Sequence, residues 1–130
     1  MPSDSKGFTL IEILIVIVVI GLLVSIVVPK YANGKERAMV TAMRSDLHNL
    51  MMAQEGYFST TQTYYNGPLP DPGLTYSTSP GVSVTLSGVT AAGWGATATH
   101  VHTPKSCALF VGTAPAPAPA TVEGLIACTP

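Results

Sequence analysis

A chain of 130 residues has room for one modest domain. Only 10% of its residues are charged and its formal net charge is -1, which excludes the basic stripe expected of a nucleic-acid surface. The apolar content is ordinary in amount but unevenly placed, crowding residues 8–28 and giving way later to Gly, Pro, Thr and Ala.

Residues 1–7, MPSDSKG, are short and polar. Residues 8–28, FTLIEILIVIVVIGLLVSIVV, form an apolar run with one charge, Glu12. As a helix rising about 1.5 Å per residue, this run spans roughly 30 Å, the thickness of a bilayer core. Its many Ile and Val residues would favour strand in water, but in lipid the backbone must bond to itself, so a helix is predicted. A secretory signal has a shorter core and a small-residue cleavage site after it. Here no A-x-A pattern precedes Pro29, and the small residue, Gly7, comes before the core.

Beyond Pro29, Met39, Met43, Leu47, Leu50 and Tyr57 mark one face of an amphipathic helix. Arg37, Arg44, Asp46 and Glu55 fall largely off that stripe, and Asn33-Gly34 is a weak point within it. The helix is expected to end near Gly56, before the turn-rich TTQTYYNGPLPDPG. The segments GVSVTLSGV, WGATATHVH and SCALFVG then read as three strands of an antiparallel meander laid on the helix. The breaks between them are expected at Ala92-Gly93 and Thr103-Pro104. The low-complexity APAPAPAT should be extended, without hydrogen-bonded structure of its own.

Two cysteines, Cys107 and Cys128, are too few for a structural zinc site. They either close one C-terminal loop or are unrelated buried thiols. A disulfide would place this part of the chain outside the cytosol.

Glu12 requires a partner, because an isolated acid in hydrocarbon costs at least about 2.5–3.5 kcal/mol. Were the chain cut between Gly7 and Phe8, the new amine of Phe8 would be a cation four positions from Glu12. That amine could also reach the carboxylate of an adjoining copy, fixing an axial offset that generates a helical filament when repeated. The alternative is a glutamate at the membrane interface that snorkels to water.

The run Lys6-Gly7-Phe8-Thr9-Leu10-Ile11-Glu12, followed by unbroken apolar residues and Pro29, resembles the type IV prepilin signature. The long helix, antiparallel sheet and C-terminal cysteine pair are similar to a pilin more loosely. The resemblance implies that a prepilin peptidase cuts after Gly7 and that Phe8 becomes an N-methylated terminus. It further implies that Phe8, Thr9 and Glu12 serve assembly, Glu12 pairing with a neighbour's terminus. Gly21 and Pro29 match the places between which family members lose helix in the packed fibre, and both residue types weaken a helix interior. A count of flanking charges would put the N-terminus outside, whereas the family topology is leader in and body out.

No catalytic constellation accompanies these features. His100 and His102 lie on one face of a predicted strand and His48 on the helix, with no clustered Asp, Glu or Cys to complete a metal site. Trp94 reads as an anchor in the small core, and the Ser/Thr stretches at 59–63 and 77–79 as solvated or glycosylated loops.

The expected fold is α+β, a long N-terminal helix packed on a small antiparallel sheet. Its parts are a leader (1–7), a membrane and filament-core helix (8–29), an amphipathic helix (30–58), an αβ loop (59–80), the sheet (81–112) and a disulfide-closed tail (113–130). The expected function is structural: a major pilin held in the inner membrane with its body outside the cytosol, then polymerised into an extracellular type IV pilus. Its expected partners are copies of itself, prepilin peptidase and the pilus assembly machinery, with no cofactor, metal or nucleic acid. The alternatives are a type II secretion pseudopilin or a minor pilin and, further off, a DNA-binding or adhesive tip pilin.

Overall fold

A computed structural model describes residue 2 and residues 6–130; Met1 and residues 3–5, within the expected leader, lie outside the described residues. The chain forms two compact units, Met1–Lys35 and Glu36–Pro130. Helix α1, Leu10–Thr61, contributes residues 10–35 to the first and 36–61 to the second.

In the first unit the helix buries nothing. Its most apolar eighteen-residue window is wholly exposed, and α1 is long and apolar enough to cross a membrane. Both Gly21 and Pro29 are helical here. Pro29 has no N–H to give, so the carbonyl of Ser25 loses its intrahelical donor. The Ser25 hydroxyl itself donates back to Leu22 O at 2.7 Å.

In the second unit α1 buries Met43, Asp46, Leu47, Leu50 and Gln54. The helix does not end near Gly56 as expected but continues to Thr61. The extra turns are held by aromatic pairs, Tyr57 edge-on to Tyr65 at 5.6 Å and Phe58 stacked on Tyr64 at 4.7 Å. Ser59, Thr60 and Thr61 return their hydroxyls to carbonyls of the preceding turn. Gln62 then takes a left-handed conformation, φ 59°, and its N–H caps Phe58 O at 2.8 Å, ending the helix.

The sheet runs β1 (Val82–Thr90), β2 (Gly93–His100), β3 (Thr103–Gly112) and β4 (Ala127–Cys128), adjacent in that order and antiparallel throughout. Its helix-facing side supplies Val82, Val84, Trp94, Ala96, Ala98, Cys107 and Leu109 to a core shared with the helix stripe. The first hairpin turns at residues 91–92, close to expectation. The second turns two residues earlier than expected, at residues 101–102, so that Thr103 pairs with His100 and Pro104 falls inside β3. There the His102 N–H is satisfied by His100 Nδ1 at 3.1 Å, a local bond that closes the turn without proline.

The far side of the sheet is covered too. Ala108 is fully buried, as nearly are Ala114 and Ala120 of the proline-rich segment. Pro115 and Pro117 lie over glycines: a Cβ at Gly88 would sit 2.9 Å from Pro115 Cδ, and one at Gly95 3.3 Å from Pro117 Cδ. The segment is therefore not free-running, and it makes a turn of its own, Ala120 N–H to Pro117 O at 2.8 Å. It leads to β4, a strand that two residues give no periodicity to reveal.

Candidate functional site

The helix of the first unit begins in a reciprocal cap. Thr9 precedes Leu10, and its carbonyl accepts the first intrahelical bond from Ile13 N–H at 3.3 Å. The Glu12 N–H donates to Thr9 Oγ1 at 3.3 Å. In return Glu12 Oε2 accepts the Thr9 N–H at 2.7 Å and the Thr9 hydroxyl at 3.0 Å. This is a capping box, in which Thr at the cap and Glu three residues later satisfy each other's backbone donors. The signal, Thr-x-x-Glu before an apolar run, was present in TLIE but not recognised in the sequence reading, which looked for Glu12's partner outside the turn.

The box gives Glu12 a local role that any assembly role must coexist with. Its carboxylate meets amides at the positive end of the helix, where negative charge is favoured. It is also solvent-exposed in the single chain, as are Phe8, at 85%, and the apolar side chains after it. Phe8 stands one residue before the cap. The expected processing site, Gly7–Phe8, is thus immediately outside the helix, in backbone without regular structure.

In the second unit Cys107 and Cys128 are directly opposed on β3 and β4 and joined by a disulfide of 2.03 Å. The bridge holds the tail at a point where Thr129 N–H also bonds Ser106 O and Ser106 N–H bonds Thr129 Oγ1, at 2.9 and 3.0 Å. Two buried polar residues of α1, unforeseen as structural, anchor the αβ loop. Asp46, placed off the apolar stripe by the sequence reading, is almost fully buried and accepts from Ser79. Gln54 accepts the Tyr65 N–H at 2.8 Å and donates to Tyr65 O at 3.0 Å.

The other candidates are placed as follows. Trp94 is fully buried, its ring 6.4 Å from that of Tyr64, and its Nε1 has no hydrogen-bond partner among the described residues. His100 and His102 have ring centroids 5.6 Å apart at the second hairpin, while His48 is exposed on α1. No group of three or more His, Cys, Asp or Glu side chains is placed to hold a metal among the described residues.

Residues 2–28 match the family described as the prokaryotic N-terminal methylation motif. Over 60 residues the chain is 35% identical to the type IV major pilin protein PilA of Myxococcus xanthus, covering 46% of this chain and 27% of that protein. It is 42% identical over 55 residues to the type IV major fimbrial protein FimA of Dichelobacter nodosus, covering 42% and 35%. Over its N-terminal part this chain is similar to type IV pilins. The chain is also similar to the type II secretion system core protein G of Pseudomonas aeruginosa, 39% identical over 54 residues, covering 42% and 38%. The chain spans roughly a quarter to two fifths of the length of these relatives.

Proposed function

We propose that this chain is a major subunit of an extracellular type IV pilus. A prepilin peptidase cuts after Gly7 and methylates the amine of Phe8. The processed subunit waits in the inner membrane, residues 8–28 spanning it and the body outside the cytosol, until assembly machinery adds it to the fibre. The observation that carries this reading is the fully exposed apolar helix opening on a carboxylate, Glu12, one turn from the expected cut.

The capping box explains how the same carboxylate serves two states. Before processing, Thr9 satisfies Glu12 and the helix enters lipid without an orphaned acid. Processing adds a cation at Phe8, and packing of apolar helices removes water from around both charges. An amine from the adjoining copy then competes for Glu12 in a low dielectric, where opposite charges attract strongly and a lone one is costly. Docking is favoured at one axial offset, and repeating it head to tail builds a filament. Gly21 and Pro29 bracket a helical stretch whose interior is weakened at both ends, consistent with loss of helix there on packing.

The test is N-terminal sequencing and mass measurement of the protein in sheared surface fibres. An abundant fibre protein starting at methylated Phe8 is expected; an exported protein retaining Met1 would end this reading. The likeness to a secretion-system core protein favours a second reading, a type II secretion pseudopilin. In that case the processed protein stays with the cells and shear releases none.

A further inference from the structure

The second unit segregates its charge. Its three basic side chains, Arg37, Arg44 and Lys105, all line one open pocket of about 500 Å3 between α1 and the sheet edge, together with Thr41, Cys128, Thr129 and Pro130, whose carboxylate makes no ion pair with them. One of the three is neutralised: Lys105 Nζ lies 3.5 Å from Glu36, the single ion pair among the described residues. Arg44 Nη2 reaches only the disulfide sulfur of Cys128, at 3.8 Å, a weak acceptor. Arg37 and Arg44 are exposed and hold no carboxylate.

The side-chain acids of the unit are accounted for elsewhere, save one. Asp46 is buried on Ser79 and Glu36 serves Lys105. Asp71 and Glu123 accept backbone N–H groups, of Gly73 at 2.6 Å and Gly112 at 2.7 Å. Glu55 is exposed on α1 and holds nothing better than the Tyr64 hydroxyl at 3.4 Å. Eleven residues of helix separate it from Arg44, about 16 Å of axial rise, so the two cannot meet within one chain. Arg37, Arg44 and Glu55 fall within about 20° of one another around the helix, forming a single exposed stripe. Copies gathered about a common axis with such an axial shift bring one copy's Glu55 to the next copy's pocket.

We propose that the Arg37–Arg44–Lys105 pocket receives the Glu55 carboxylate of a second copy of this chain. The contact rests on the filament reading above and adds to it a second register, set in the body rather than in the membrane helix. Two guanidiniums and one carboxylate suit each other, because an arginine fork binds both carboxylate oxygens in its plane.

The experiment is a charge swap in the full-length protein, read as yield of sheared fibres against the amount of subunit in the membrane. Arg44→Glu and Glu55→Arg should each lower the yield about fivefold or more, and the double variant should recover most of it. Membrane levels and disulfide formation should stay at the parent's value, separating assembly from folding. In fibres of Arg44→Lys, which keeps the charge and adds an amine, a zero-length carbodiimide should join position 44 of one copy to Glu55 of another.

Fibres that form normally in both single variants, or a double variant no better than either, would overturn the contact while leaving the filament reading intact. Cross-links to Asp71 or Glu123 instead would overturn it likewise. Retention of parent fibres on heparin that Arg44→Glu abolishes, with no cross-link to Glu55, would assign the pocket to an anionic polysaccharide. A parent protein that forms no fibre at all removes the filament reading first, and this contact with it.

Discussion

Asp46 and Ser79 are joined twice, the Ser79 N–H donating to Oδ2 and its hydroxyl to Oδ1, each at 2.8 Å. The pair ties the start of the sheet to the middle of α1 across an αβ loop that has little regular structure. Asp46 is only 3% exposed, and its removal leaves the two donors of half-buried Ser79 without their acceptor. Asp46→Ala should cost about 2–4 kcal/mol in denaturant unfolding of the detergent-solubilised chain. Asp46→Asn, which keeps one acceptor, should cost less.

Tyr76 extends the same cluster, its hydroxyl donating to Asp46 O at 3.0 Å. Burial, with the Asp46 charge nearby, pushes the phenol well above its ordinary range. Because the folded value lies above the unfolded one, near 10, the contribution to stability is complete below about pH 10 and is lost as pH rises towards the folded value. Stability should therefore fall in alkali, with one tyrosine ionising late by ultraviolet absorbance. Tyr76→Phe should abolish the late step and cost about 1 kcal/mol at neutral pH.

Much of this architecture was legible in the sequence because it is written in periods. The steps from Met43 to Leu47 and Leu50 fix the buried helix face, and Val82, Val84 and Trp94, Ala96, Ala98 fix the inner face of the sheet. What was missed has no period. Asp46 lies between Met43 and Leu47 on the same face, but its charge marked it as a solvent residue until Ser79 was seen beside it. Gly56 looked like a helix end, yet Tyr57 and Phe58 beyond it found aromatic partners that continue the helix. The candidate site divides in the same way. The carboxylate in the apolar run was conspicuous, whereas its partnership with Thr9 depended on reading a four-residue cap inside a stretch taken as membrane span.

The Cys107–Cys128 bridge should be worth about 3 kcal/mol, by closing the intervening chain in the unfolded state. Its loss should act locally. β4 has only two residues, and the tail from 113 is otherwise held by a few backbone bonds and the two prolines on glycine. Reduction, or Cys128→Ser with Cys107→Ser, should make residues 113–130 the first site of proteolysis while β1–β3 and the helix persist. Limited digestion followed by mass measurement checks this.

Glu12 caps α1, and the proposed filament gives it a second role that ordinary substitutions confound with the first. Glu12→Val removes both the capping oxygen and the charge, and should leave insertion intact yet reduce fibre yield. Glu12→Gln is the sharper change. Glutamine at this position still accepts from the Thr9 N–H and hydroxyl, since a capping box tolerates either residue. Helix start and membrane level should therefore match the parent. Only the attraction for a neighbour's amine is lost, and with it the force that selects one axial offset among apolar helices that otherwise slide freely. Fibre yield should fall about as far as in Glu12→Val, whereas Thr9→Val, which weakens the cap by about 1 kcal/mol and keeps the charge, should assemble. The opposite ranking, with glutamine assembling and the Thr9 variant failing, would mean that Glu12 serves the cap alone.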